Sequence, residues 1–166
     1  MKAGIERAVD LIGRATSWLA LVIVVLMAVN VVLRYLFSIG SVWAQELEWH
    51  LLAPLIMFGI PYALLKGDHV RVDVLFEKFT PMNQQYVEVV SQILGIAIAA
   101  LFLWLSFAYV QQSYSIGETS SDPGGLPYRW ILKSVLPLGF ALLLLQSVAT
   151  LIGVFGKIRA IKAGAA

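Results

Sequence analysis

The chain has 166 residues, 60% of them hydrophobic and only 13% charged, with a mean hydropathy of +0.83. Most of it falls into four charge-free runs, Ala15–Leu33, Leu51–Leu65, Val89–Gly117 and Ser134–Gly156, which leaves too little sequence for a soluble domain. A net charge of +2 carries no nucleic-acid footprint, and the absence of cysteine excludes disulfides, thiolate metal sites and thiol nucleophiles.

At the helical rise the four runs extend roughly 28, 22, 43 and 34 Å, against a hydrocarbon core of about 30 Å. Only helices or a closed barrel satisfy the backbone inside a bilayer. Barrel strands alternate apolar and polar residues over about ten positions, and Ala20–Val32 and Ala99–Leu105 do not alternate. The expected fold is therefore an all-α membrane protein. Residues 1–166 form a single domain with transmembrane helices at about 15–37, 47–65, 85–112 and 131–155, plus a short interfacial amphipathic helix. The lipid bilayer is its solvent.

The first run follows Lys2, Arg7 and Arg14, as in a signal peptide. It is longer than an h-region of about 7–15 residues, so it reads as a retained span. It ends near Phe37, and Ser38-Ile39-Gly40-Ser41 is a turn whose Ser41 can cap the second helix. That helix opens on an amphipathic stretch from Val42 to His50, with Trp43 and Trp49 suited to the membrane interface. Pro54 and Pro61 are expected to kink it or open it locally. Next, Val72, Leu75, Phe76 and Phe79 share a helical face, the pattern of a helix lying on the membrane. Thr80-Pro81 restarts the chain as N-cap and first helical residue. Ser120–Pro127 is a turn-rich loop. The last helix starts near Tyr128 and carries Pro137 and Gly139.

Lys and Arg set the orientation. Nine of the twelve lie in the N-terminal segment, the 66–86 loop and the C-terminal tail; Arg34, Arg129 and Lys133 lie on the opposite side. The positive-inside rule puts both termini in the cytoplasm.

Polar clusters gather at the span ends. Glu46 and His50 are four apart and share a helical face, either as an interfacial pair or as a contact to a partner. Arg34, one turn after Asn30, either snorkels to the interface or pairs with Glu46 or Glu48. Pairing is the expectation, because both glutamates sit at similar depth. Gln92 and Gln146 could bridge helices. His69, Arg71 and Asp73 form a polar knot that fixes how the second span turns into the surface helix. His50 and His69 stand at opposite ends of that span and cannot ligate one haem, so no cofactor is expected. No ionisable group lies near mid-membrane, where a transport pathway usually places one. No catalytic constellation is present, so the chain reads as a non-enzyme.

The pattern Trp43-x-x-Glu46-Leu47, a kinked span, and then Lys66-Gly67-Asp68-His69-Val70-Arg71-Val72-Asp73 resembles the small membrane subunit of tripartite ATP-independent periplasmic (TRAP) transporters, the DctQ-like family. Gly125-Leu126-Pro127 and Leu136-Pro137-Leu138-Gly139-Phe140 are similar to that family's entry into the fourth span. Gln45 departs from it, since the family often has a second acidic residue beside Glu46. Glu48-Trp49-His50 and the Ser-Asp-Pro-Gly-Gly loop are similar to the branch associated with 2-oxo acids, mannitol or related organic acids and polyols.

The resemblance implies a scaffold in the bacterial inner membrane. Its partners would be a large DctM-like subunit, which carries substrate by a sodium-driven elevator movement, and a periplasmic substrate-binding protein. The interface with the large subunit is expected on the first two spans, along Ala20, Met27 and Met57, and on the surface helix. Trp43, Glu46, His50 and the Asp122–Leu126 loop are expected to mark the external side. The alternatives are a haem-free anchor of a respiratory enzyme and a small self-sufficient homodimeric transporter.

Overall fold

The computed structural model describes residues 2–68, 76 and 78–163. Among them are four long helices: α1 (Lys2–Phe37), α2 (Val42–Lys66), α3 (Pro81–Ser115) and α4 (Arg129–Lys162). Each is long and apolar enough to cross a membrane. The expected surface helix falls mostly outside the described residues, as do His69, Arg71 and Asp73.

Local chemistry sets where the helices start. Ser41 is extended and its hydroxyl accepts from the Ala44 N–H at 3.3 Å, satisfying one of the donors a helix start leaves open. Thr80 does the same for Asn83 at 3.4 Å, with Pro81 at the first helical position. Gln84 reaches back to the Phe76 carbonyl at 3.1 Å and ties this start to the preceding segment. Pro54, Pro61 and Pro137 lie within helices that continue through them, so none of the three ends its helix.

The helices run up and down. α4 touches all three others, and its pairing with α3 is the most extensive contact in the bundle. On α3 the buried residues Gln92, Ala99, Ser106 and Ser113 recur every seven positions. On α4 the buried residues include Gln146, Ser147 and Ala149, and the Ser147 hydroxyl faces Gly95 of α3. Three of the four on α3, Ala99, Ser106 and Ser113, are small, and small residues let helices approach closely where lipid supplies no hydrophobic drive. Phe102 stacks on Phe140 across this interface with centroids 5.2 Å apart.

α1 is held differently. Its buried residues are Val9, Gly13, Thr16, Ile23 and Asn30, one narrow stripe at steps of three, four and seven. Polar contacts fix the register of that stripe on α2. Lys66 pairs with Asp10 at 2.7 Å near the end that carries the termini, and Asp10 also holds Arg14. At the other end the Asn30 side-chain amide donates to Glu48 at 3.2 Å. The rest of the apolar part of α1, from Leu21 to Leu33, is largely exposed.

At Gly13, α1 packs directly against Tyr62 of α2. A Cβ at this position would overlap the Tyr62 side chain down to its own Cβ, so a methyl cannot be absorbed by a rotamer change. Gly13→Ala should lower the thermal midpoint in detergent by the equivalent of about 1–3 kcal/mol, the usual cost of overpacking. Gly59→Ala, which meets open space, should leave the midpoint unchanged or raise it slightly. Equal effects of the two substitutions would show that the Gly13–Tyr62 approach is not a constraint.

Candidate functional site: a carboxylate latch at the loop end

One end of the bundle carries the 38–41 turn and the 116–128 loop, and most of the polar chemistry collects there. α4 starts badly by itself. Tyr128, its N-cap, is left-handed at φ 60° and makes no side-chain cap. The first turn has no acidic residue, and Arg129 and Lys133 put positive charge at the positive end of the helix dipole. Both cations need carboxylates from elsewhere.

Glu46 of α2 supplies the first. Its residue surface is 1% exposed. One carboxylate oxygen accepts from the Ser120 hydroxyl and lies 3.6 Å from the Arg129 guanidinium. The other accepts from the Leu126 backbone N–H at 2.5 Å. A single side chain on α2 thus grips both strands of the loop and the first residue of α4.

The loop is shaped to be gripped. Gly125 N–H donates to the Asp122 carbonyl at 3.0 Å, with Pro123 and Gly124 between them. Gly124 has φ 81°, as a type II turn requires at its third residue. Gly125 then lies against the latch itself: a Cβ there would stand 2.7 Å from the Glu46 carboxylate and closer still to Ser120. Ser120 N–H bonds the Leu126 carbonyl at 3.2 Å and closes the base of the loop.

Glu118 supplies the second carboxylate. It accepts from Lys133 at 2.5 Å, and its backbone carbonyl accepts from Arg129 N–H at 3.1 Å. The Lys133 hydrogen bond holds the Glu118 carboxyl below the ordinary glutamate range. Lys133 also stands over the Tyr109 ring, 4.0 Å from its centre, and Trp130 meets Tyr114 edge to face at 5.5 Å.

His50 lines a cavity behind the latch but does not bond its carboxylate. The ring Nδ1 lies 2.7 Å from the Glu46 backbone carbonyl, so Nδ1 carries a proton, and Nε2 is buried with no hydrogen-bond partner among the described residues. The expected pairing of Arg34 with Glu46 or Glu48 is not formed. Residues two apart on a helix point about 200° apart. Glu48 therefore faces α1, where Asn30 takes it, and Glu46 faces the loop. Arg34 is exposed and makes no ion pair among the described residues. Trp43 is half exposed at the rim, Pro127 is exposed in the loop, and Pro137 is partly buried in α4.

Gln146 does not bridge helices in the way the sequence allowed; its amide donates to Thr150 on its own helix at 3.2 Å. Gln92 likewise donates to Glu88 on its own helix at 2.9 Å. Met57 faces inward against Gly139, so the outward face of α2 is Leu52, Ile56 and Ile60 instead.

Sequence reasoning missed Ser120, Glu118, Arg129 and Lys133 as members of this cluster. A signal was present: two cations in the opening turns of a helix with no acid beside them demand remote partners.

The family described as "Tripartite ATP-independent periplasmic transporters, DctQ component" matches residues 23–156. A TRAP transporter small permease protein of Haemophilus influenzae is 28% identical over 152 residues, covering 87% of this chain and 92% of that protein. The C4-dicarboxylate TRAP transporter small permease protein DctQ of Rhodobacter capsulatus is 28% identical over 106 residues, 64% of this chain and 46% of that one. The isethionate TRAP transporter permease protein DctMQ of Oleidesulfovibrio alaskensis is 25% identical over 114 residues. This chain covers 69% of itself in that match and spans 18% of the relative, so the chain matches less than half the length of the last two proteins.

Glu46→Gln keeps the shape of the latch and removes the charge that strengthens its hydrogen bonds. Protease cleavage within 118–127 should accelerate about tenfold in detergent, because cleavage tracks the open population of the loop. Cleavage at the unaltered rate would show that the carboxylate does not hold the loop.

Proposed function

Since the chain belongs to the DctQ family of TRAP transporter small permease subunits, we propose that it is the static scaffold beside a large, DctM-like permease subunit. The large subunit carries a small organic acid or polyol inward by a sodium-driven elevator movement, and a substrate-binding protein delivers the substrate to the loop end. Both termini lie in the cytoplasm and the loop end faces the periplasm, as the Lys and Arg distribution favours. The chain is not itself an enzyme and needs no cofactor. The cargo is a 2-oxo acid, a dicarboxylate or a polyol. Trp43 and the 118–127 loop form part of the rim that meets the binding protein or the large subunit, and His69, Arg71 and Asp73 brace the turn into the second half of the chain.

The exposed face of α1 carries this reading. A helix with one narrow buried stripe and apolar residues elsewhere has surface to spare for another membrane protein. A shallow groove of Leu21, Val22, Val25, Leu26 and Val29 runs along that face. No Asp, Glu, Lys or Arg lies in 15–33, 49–65, 89–115 or 134–156, so the spans offer no charged relay of their own.

In liposomes with an imposed sodium gradient the chain alone should give no uptake of small organic acids. Adding the large subunit and the binding protein should restore it. Cysteines at Ala20 and Met27 should cross-link to the large subunit, and a cysteine at inward-facing Met57 should not. Saturable uptake by the chain alone would overturn the scaffold reading; capture only from α3 would overturn the choice of face.

A further inference from the structure

Trp104 lies in the middle of the charge-free run Val89–Gly117, about 20 Å from either end at the helical rise. The layer around it agrees. Phe102 stacks on Phe140 of α4 and Met57 of α2 packs against Gly139, and all four of these residues sit inside charge-free runs. Yet Trp104 is 73% exposed, and its indole N–H makes no hydrogen bond among the described residues. The other exposed tryptophans stand beside polar ends: Trp18 is one turn from Arg14, and Trp43 and Trp49 are at the loop end.

Lipid is a poor cover for such a residue. An indole favours the membrane interface, where the ring is buried and the N–H stays wet. At mid-bilayer the acyl chains offer no acceptor, and an unbonded donor costs free energy. The chain itself supplies none either. Trp104 is two residues from buried Ser106 and so points about 200° away from it, off the buried side of α3. α4 is the only helix on which α3 packs extensively.

The same face rules out a second copy as the source. The neighbours of Trp104 on it are Ala100, Leu101, Phe107 and Ala108, none of which has a polar side chain. The nearest polar side chain on the face is that of Gln111, two turns or about 10 Å away. What the face does have is room. Ala100 and Ala108, one turn to either side of Trp104, are small and exposed. They leave notches beside the ring where another backbone can come close.

We propose that the outer face of α3, centred on Trp104, docks a membrane-spanning helix of a partner protein, and that this helix carries Ser, Thr, Asn or Gln at mid-bilayer. The indole N–H donates to that side chain, and the alanine notches admit the helix to hydrogen-bond distance. The contact is separate from the α1 face and does not depend on what covers that face.

The test compares the complex extracted from its own membrane with the chain purified alone. Both are placed in nanodiscs of phospholipid brominated in mid-chain, which quenches any tryptophan it touches. Subtracting the emission of Trp104→Phe isolates that of Trp104. Quenching should be clear in the chain alone and lost in the complex; equal quenching in the two would show that lipid covers Trp104 and would overturn the proposal. Ultraviolet resonance Raman difference spectra of the same samples read the indole N–H. The Trp104 band should sit at its free position in the chain alone and shift to its hydrogen-bonded position in the complex; a free band in both would overturn the proposed bond. A photoreactive residue at Leu101, in the otherwise unaltered complex, then identifies the neighbour. The adduct should map to a partner's membrane-spanning segment with Ser, Thr, Asn or Gln within one turn. An adduct to lipid, to a second copy of this chain or to a segment without such a residue would overturn the proposal, and this readout stands even if Trp104→Phe sheds the partner.

Discussion

A carboxylate buried at the end of a membrane bundle must be fully bonded or the site is costly. Glu46 meets that constraint with bonds that all come from outside its own helix: the Ser120 hydroxyl, the Leu126 N–H and the Arg129 guanidinium. The same contacts satisfy the needs of their donors. The loop gains an anchor, and α4 gains a counter-charge for a start that its own sequence leaves uncompensated. α4 touches every other helix, so the latch ties the start of the helix common to all the packing to α2 and the loop.

The packing below the latch follows from the solvent. In lipid, helices adhere through fit rather than through escape from water. α3 brings the small residues Ala99, Ser106 and Ser113, seven apart, to that fit, and α3 with α4 makes the most extensive helix pairing in the bundle. α1 obtains it only along a single stripe, fixed at both ends by polar contacts to α2. The bundle thus has a tightly closed side and an open side. This asymmetry suits a subunit that is completed by a neighbour.

Much of the fold was legible because it rests on local and compositional rules. Four charge-free runs, the Ser41 and Thr80 caps and the Asp122–Gly125 turn follow from residue type and spacing alone. Glu46 could be singled out for the same reason, as an acid at a span end. Its partners could not, because Ser120 and Leu126 lie 74 and 80 residues away and only the fold brings them together. The error over Arg34 was one of direction. Depth along the helix was matched, but rotation around it was not, and two residues turn a side chain to the far face. Met57 was expected along the face toward the large subunit, and its phase puts it against Gly139.

The claim that Glu46 organises the loop end is tested most directly by hydrogen exchange at the Leu126 backbone amide. Leu126 sits in a loop among exposed residues, so its amide has no regular secondary structure to protect it. If Glu46 accepts from it, the amide should exchange as slowly as those in the middle of α4 and should lose that protection in Glu46→Gln. Exchange at the rate of an open loop in the unaltered protein would contradict the account.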